Sequence, residues 1–467
     1  MKEILDRIVE QDREKIIETV KRLVDIPSVI DETSSGENAP FGKDIRRAQD
    51  ELIKIAEELG FSVKDYDGYA AAIDFGENGD EIGILSHIDV VPAGDGWCTD
   101  PFVATIIDNK MYGRGTLDDK GPLVAALFAM KAIRDSNLSI KNHIRHIVGC
   151  DEETAHRCIK YYLTKEEPPV MGFSPDGSFS VIHAEKGIVR CNLTKVWKNN
   201  SETEGTSLIS VTAGTVVNAV PAKAEAIVRA AGKDREAIEE LCTRHGVSFT
   251  WEGDYVKLSA KGVSAHAMQP WMGENALLPI LNVLHHIDFT SEEERDAVEV
   301  LYHLFGDGWE GKGLGIRCED DLSGKLSVNL GVFKIEEGRL SAKLDIRCPI
   351  HMDLDLLLYT LQMTMEKNGL SMEPYQIKPA LYIPKDTPLV QALLNIYNEK
   401  MDANEKPIVI GGGTYCRDVK NFVSYGPVFP GDPELAHEAN EFIELEKLVH
   451  CTKLYAQALY ALLEGEA

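Results

Sequence analysis

Apolar residues at Ile4, Ile8, Ile16, Val20, Leu23 and Val24 recur among charged neighbours at helical spacing. That rhythm lines one helix face and predicts helix for the first segment. Ala48 to Leu59 repeats the pattern and predicts a second amphipathic helix. Then the rhythm changes. Ile82 to Leu85 is a short unbroken apolar run that stops at Ser86-His87-Ile88-Asp89, the mark of a buried strand. Helical spacing returns from Pro122 to Ile133, where Pro122 after Gly121 suits a first helical turn. A second apolar run, Ile144 to Cys150, ends in Asp151-Glu152-Glu153. Strands alternating with helices predict an α/β unit with a mainly parallel, mixed sheet. In such sheets functional groups gather beyond the carboxyl ends of strands, where His87 and Glu152-Glu153 both fall.

From about His183 the pattern becomes α+β. Leu208 to Ala231 and Lys257 to Val263 alternate like antiparallel strands, and Ala276 to Ile287 reads as a helix. Leu326 to Ile346 reads as two strands around Glu336-Glu337-Gly338, and Leu354 to Lys367 as another helix. Helix resumes at Leu389 to Met401, a short strand at Pro407 to Ile410 runs into Gly411-Gly412-Gly413, and Phe442 to Leu463 predicts a long closing helix. A chain of 467 residues exceeds one ordinary core. The expected organisation is a discontinuous α/β domain, 1–183 with 381–467, and an inserted α+β domain, 184–380.

Composition narrows the partners. Forty-nine basic against 76 acidic residues give a net charge of −27, which disfavours nucleic acid and anionic membrane surfaces. The nine cysteines are odd in number and form no Cys-x-x-Cys pair, as expected of reduced thiols. The N-terminal segment lacks a signal-peptide core and no apolar run is long enough to span a membrane, so a cytoplasmic location is expected.

Taken singly, the candidate residues have bland readings. His87 suits a core histidine, Asp118 and Asp119 a helix cap, Glu152 and Glu153 an exposed turn, Asp176 a β-turn and His437 a solvated loop. Together they amount to five loops delivering two histidines and at least four carboxylates from strand ends and helix starts. Imidazole nitrogens with carboxylate oxygens are the donors of zinc, manganese or cobalt hydrolase sites. The adjacent acids Glu152 and Glu153 suit a division of labour, one binding metal and one handling protons.

Ser86-His87-Ile88-Asp89-Val90-Val91-Pro92, the run Gly113-Arg114-Gly115 to Asp118-Asp119-Lys120-Gly121, Asp151-Glu152-Glu153 and Pro175-Asp176-Gly177 resemble the motifs of the M20 metallopeptidases, in order along nearly the whole chain. Asp-Asp-Lys-Gly-Pro and the long insert resemble most the PepV-type dipeptidase branch. The resemblance implies two divalent metal ions, zinc first with manganese or cobalt as alternatives. His87 and Asp176 would hold one, Glu153 and His437 the other, and Asp118 would bridge them, with Asp119 following through a cis peptide. Asp89 would orient the His87 ring. Glu152 would be the general base, taking a proton from a metal-bridging water and returning it to the leaving amine.

From the insert, the resemblance points to His266, in Gly262 to Pro270, as an oxyanion stabiliser, and to Asn218, in Asn218 to Pro221, as a second substrate contact. Arg347 at a strand end is a candidate clamp for a substrate carboxylate, with a surface salt bridge as the equal alternative. Gly412, Gly413 and Thr414 would offer backbone amides to the same carboxylate. The remaining histidines, His156 among them, match no motif and read as structural or surface. Ser86 and Cys416 depart from the usual family residues; Cys416 would confer sensitivity to thiol reagents.

The expected activity is hydrolysis of short peptides, dipeptides first. An amidohydrolase of N-acylated amino acids shares the metal motifs, and only the size of the insert, which suits a closed pocket within one chain and hence a monomer, favours dipeptides. A non-catalytic metal or peptide binder would have no use for Glu152. A phosphoesterase lacks a phosphate-cradling loop.

Overall fold

The computed structural model describes residues 1–197, 205–230 and 232–465; Ala231, the end of one predicted strand pair, lies outside them. Two compact units emerge: residues 1–184, 382–408 and 414–467 form the first, and 185–381 with 409–413 the second. The strip 409–413 thus sides with the second unit.

In the first unit the sheet runs in the order Ser62–Tyr66, Ala70–Phe75, His143–Gly149, Glu81–His87, Met171–Ser174, Phe422–Ser424, Ile182–Glu185. Its centre is parallel: Glu81–His87 pairs in parallel with His143–Gly149 on one side and Met171–Ser174 on the other, and Met171–Ser174 pairs so with Phe422–Ser424. The flanks are antiparallel, which makes the sheet mixed, as expected. The cause at one edge is local. Asp67 (φ 54°) and Gly68 (φ 76°) turn the chain back at once, so Ser62–Tyr66 and Ala70–Phe75 form a hairpin with no room for a crossover.

Helix Lys120–Ser136 is buried almost all round, from Leu123 to Ile133, and packs against the closing helix. That helix starts at Leu445 rather than Phe442, because Phe442–Glu444 pairs as a strand with Lys110–Tyr112. The N-terminal segment is two helices, Lys2–Gln11 and Arg13–Val24, parted at Asp12. The Asp12 carboxylate is nearly buried and takes ion pairs from Lys15 at 2.7 Å and Lys131 at 2.5 Å.

The second unit is an antiparallel sheet with helices covering one face, the α+β pattern expected of the insert. Strands Ser327–Glu336 and Arg339–Cys348 turn over Glu337 (φ 50°) and Gly338 (φ 69°), as a tight hairpin requires. Along Lys223–Arg229 and Tyr255–Lys261 every second side chain is buried, so one sheet face carries the core.

Candidate metal centre and active site

The central parallel strands of the first unit end at His87 and Gly149, so the loops after them open on the same edge. His87 is fully buried, and its Nε2 lies 3.0 Å from Asp118 Oδ1 and 3.8 Å from Asp176 Oδ2. His437 Nε2 lies 3.1 Å from the other Asp118 oxygen, Oδ2, and 3.0 Å from Glu153 Oε2. Asp118 therefore offers one oxygen to each imidazole. It precedes a cis peptide to Asp119, whose Oδ2 accepts the backbone N–H of His87 at 3.2 Å. Ligand atoms of His87, Asp118 and Glu153 all lie within 4.8 Å of one another, as do those of His87, Glu152 and Asp176.

The residues fit divalent cations. Glu153 Oε1 and Asp119 Oδ1 are buried without a hydrogen-bond partner, a costly state for carboxylate oxygens unless a cation or a water stands nearby. Burial, with the negative charge of Asp118 added, pushes Asp176 up to about 7, and burial with the charge of Asp176 and Glu153 pushes Glu152 well above the carboxylate range. Burial alone would lower His87, but the Asp118 and Asp89 carboxylates outweigh it and raise the imidazole well above its ordinary value. Without metal, protons must hold this concentration of negative charge together. Divalent cations would do so with the acids ionised.

The supports of the site are buried. Glu441 is fully buried and receives three backbone N–H groups of the Asp118 loop: Gly115 at 3.0 Å, Leu117 at 2.8 Å and Asp118 at 3.2 Å. Arg114, also buried, pairs with Glu441 at 2.8 Å and donates to the backbone oxygen of His437 at 3.2 Å, tying the two ligand loops together. Gly121 in this loop admits no side chain, since a Cβ there would meet Thr116 O at 2.1 Å. Lys120 is structural: its buried Nζ donates to Leu23 O and Ile26 O at 2.9 and 2.7 Å, and burial lowers it to about 7.

Asp89 acts otherwise than expected. Its backbone oxygen, 2.9 Å from His87 Nδ1, orients the ring, while its carboxylate stands 3.6 Å from that nitrogen. The carboxylate instead accepts the backbone N–H groups of Glu152 and Glu153, each at 3.1 Å, and so fixes the turn that presents both acids.

In the second unit the Asn218 and His266 segments pair. Ala267 N donates to Asn218 O at 2.8 Å, Val220 N to Ala265 O at 2.8 Å, and Met268 N to His266 Nδ1 at 3.1 Å. Arg347 is buried, not at the surface, and its contacts match the salt-bridge reading: Nε and Nη2 bond Asp345 at 2.5 and 3.1 Å, and Nη1 donates to Gly411 O at 2.9 Å. Three of its five N–H groups are thus engaged within the protein. Gly412 and Gly413 belong to the second unit and Thr414 to the first, where Ser424 Oγ donates to Thr414 Oγ1 at 3.0 Å. Cys416 is fully buried beside Ser424, so the expected reactivity toward thiol reagents is not supported.

Residues 83–461 match peptidase family M20/M25/M40. The chain belongs to this family. It is 36% identical over 456 residues to "Putative dipeptidase YtjP" of Bacillus subtilis (strain 168), spanning 96% of this chain and 97% of that protein. The fold resembles human carnosine dipeptidase 1 (TM-score 0.62, 16% identity, 99% of this chain and 98% of that one). It also resembles the aminoacylhistidine dipeptidase of Vibrio alginolyticus (TM-score 0.59, 15% identity, 96% of each chain). No helix among the described residues is long and apolar enough to cross a membrane.

Three residues, two in the first unit and one in the second, carry no signal in the sequence. Glu441 follows His437 by four positions in a loop, where no periodicity marks it as buried. Asn329 donates to Val217 O at 2.8 Å and Ala219 O at 2.9 Å, clasping Asn218 from both sides, yet stands in a strand remote in sequence. His156, read as structural or surface, is 4% exposed, and its Nε2 lies 3.5 Å from Glu152 Oε1.

Proposed function

We propose that this M20 chain is a dinuclear metallopeptidase that hydrolyses dipeptides, with zinc the first candidate metal and manganese or cobalt the alternatives. The observation that carries the reading is Asp118 offering one oxygen to His87 and the other to His437, with Glu152 grouped with His87 and Asp176. The designation of the Bacillus subtilis relative supports the choice of dipeptides, and the family motifs support the PepV-type branch.

His87 and Asp176 would hold one ion, Glu153 and His437 the other, with Asp118 shared between them. Bound there, divalent ions would supply a more acidic water and a polarised carbonyl. Glu152 takes the proton of the attacking water as the carbon–oxygen bond forms, then passes it to the amine as the carbon–nitrogen bond breaks. Asp89 keeps Glu152 and Glu153 turned to their separate tasks through their backbone N–H groups. His266 and Asn218 go forward as substrate contacts on the family resemblance, and His266→Ala is expected to lower kcat. We place the enzyme in the cytoplasm and treat it as a monomer.

The test is a substrate panel of dipeptides, tripeptides and N-succinyl amino acids given to the metal-loaded protein. Preference for dipeptides is expected. Turnover of the acylated amino acids with none of dipeptides would move the assignment to the amidohydrolases of the same family.

A further inference from the structure

Glu152 and His156 belong to one closed turn. Asp151 O accepts the backbone N–H of His156 at 2.9 Å, and the Asp151 carboxylate takes the backbone N–H of Arg157 at 2.9 Å and its Nε at 2.7 Å. The turn forces His156 to φ 53°, a left-handed conformation that costs a non-glycine residue free energy. It aims the imidazole inward, 4% exposed, with Tyr415 edge-on at 5.3 Å between ring centroids. Tyr415 is itself fully buried, and its hydroxyl lies 2.6 Å from Cys158 Sγ. The ring thus has a rigid wall. One ring nitrogen, Nδ1, bonds the Asp418 carboxylate; the other, Nε2, lies 3.5 Å from Glu152 Oε1.

We propose that His156 is a positioning residue for Glu152: anchored on Asp418 and walled by Tyr415, it holds one oxygen of the general base and leaves the other to face the attacking water. This rests on the reading of Glu152 as the base. A glutamate carries three side-chain torsions, and a proton transfer tolerates little misplacement, so a fixed partner on one oxygen matters to the rate. With Nδ1 on Asp418, Nε2 is the ring nitrogen turned toward Glu152, 3.5 Å from its Oε1. His156 lies outside the ligand groups of the metal centre, so its effect falls on the proton step and spares metal occupancy.

The experiment has two arms. In the first, His156→Gln is expected to lower kcat about tenfold to a hundredfold, with KM and metal content within twofold; Asp418→Asn is expected to cost less. In a Glu152→Asp background, whose shortened side chain falls away from the ring, His156→Gln should cost under twofold, because the interaction is already gone. Equal losses in both backgrounds would overturn the proposal. The second arm needs no turnover: ring ¹⁵N spectra of histidine-labelled, metal-loaded protein. The resonance missing from His156→Gln should shift in Glu152→Gln, and a resonance that stays put would overturn the proposal even if the variants fold poorly. Wild-type protein inert toward every substrate, with the ring resonance shifting, would sink the assigned activity and leave the contact established.

Discussion

Replacing Glu441 by alanine is expected to damage both stability and metal affinity, although Glu441 is not one of the assigned ligands. The buried carboxylate holds three backbone N–H groups of the Asp118 loop and the fully buried guanidinium of Arg114. Removing one partner of such a pair costs about 3–5 kcal/mol, because the other charge stays buried and uncompensated. The three N–H groups would each add about 1–3 kcal/mol if left bare, but the vacated space admits water, so the pair figure bounds the total. We expect about 4 kcal/mol, a loss of about 4–7 °C in the melting temperature of the metal-stripped protein, from an unfolding entropy of about 2.1 cal/mol/K per residue. Loosening the loop should also weaken metal binding about tenfold to a hundredfold, as loss of a ligand's support does. Urea unfolding with chelator present and metal titration against a competing indicator measure the two effects. Glu441→Gln, which keeps an acceptor for the N–H groups but turns its amide toward Arg114, should fall between. A Glu441→Ala protein within 1 kcal/mol of wild type (an allowance below the usual buried-pair cost), with unchanged metal affinity, would refute the reasoning.

Three further outcomes follow from other parts of the first unit. Asp89→Ala leaves the N–H groups of Glu152 and Glu153 unheld and should lower kcat about tenfold to a hundredfold, with the fold intact by circular dichroism; unchanged kcat would contradict the role given to the carboxylate. His146 is fully buried, and burial alone lowers its pKa from 6.5 to about 3, so the folded state refuses a proton that the unfolded chain accepts. Its contribution to stability is complete above pH ~6.5 and is lost as pH falls toward 3, about 2 kcal/mol by pH 5; His146→Gln should flatten the fall in urea stability between pH 7 and 5 by that amount, and an equal slope would refute it. Cys98 is the one exposed cysteine among the described residues, so native protein should react first there with a thiol reagent, and Cys98→Ser should remove the fast phase; rapid labelling of buried Cys416 would contradict the structure.

Much of the fold was legible because burial on both faces leaves an unmistakable trace. The runs at Ile82 and Ile144 became the central parallel strands, and Leu326 to Ile346 became the hairpin its turn residues announced. The outer strands were harder to see. Ser62–Tyr66 has only its last residue buried, so no apolar run marks it. Phe442 looked helical because it adjoins a long apolar helix, whereas pairing with Lys110–Tyr112 claimed it for a strand.

The donor residues stood in short motifs that the M20 family resemblance picks out. Their supports did not, because they act through tertiary contacts. Asp89 lies two positions from His87, which suggested contact between side chains; the chain instead uses its backbone oxygen for the ring and its carboxylate for another loop. Arg347 at a strand end looked free to bind substrate, and only the structure reveals Asp345 and Gly411 as its partners. His156 carries no motif at all. Its relation to Glu152 depends on a left-handed turn that the residues Asp151 to Arg157 do not advertise.

The central claim is that bound metal and Glu152 together cleave dipeptides, and one measurement addresses it directly. Metal-stripped protein is given zinc, manganese or cobalt, then assayed on a dipeptide panel beside Glu152→Ala, with bound metal counted in each sample. The account predicts activity restored by metal, two ions per chain in both proteins, and a variant slower by at least about a hundredfold. A protein that binds no metal, or a Glu152→Ala variant that keeps wild-type turnover with two ions bound, would contradict it.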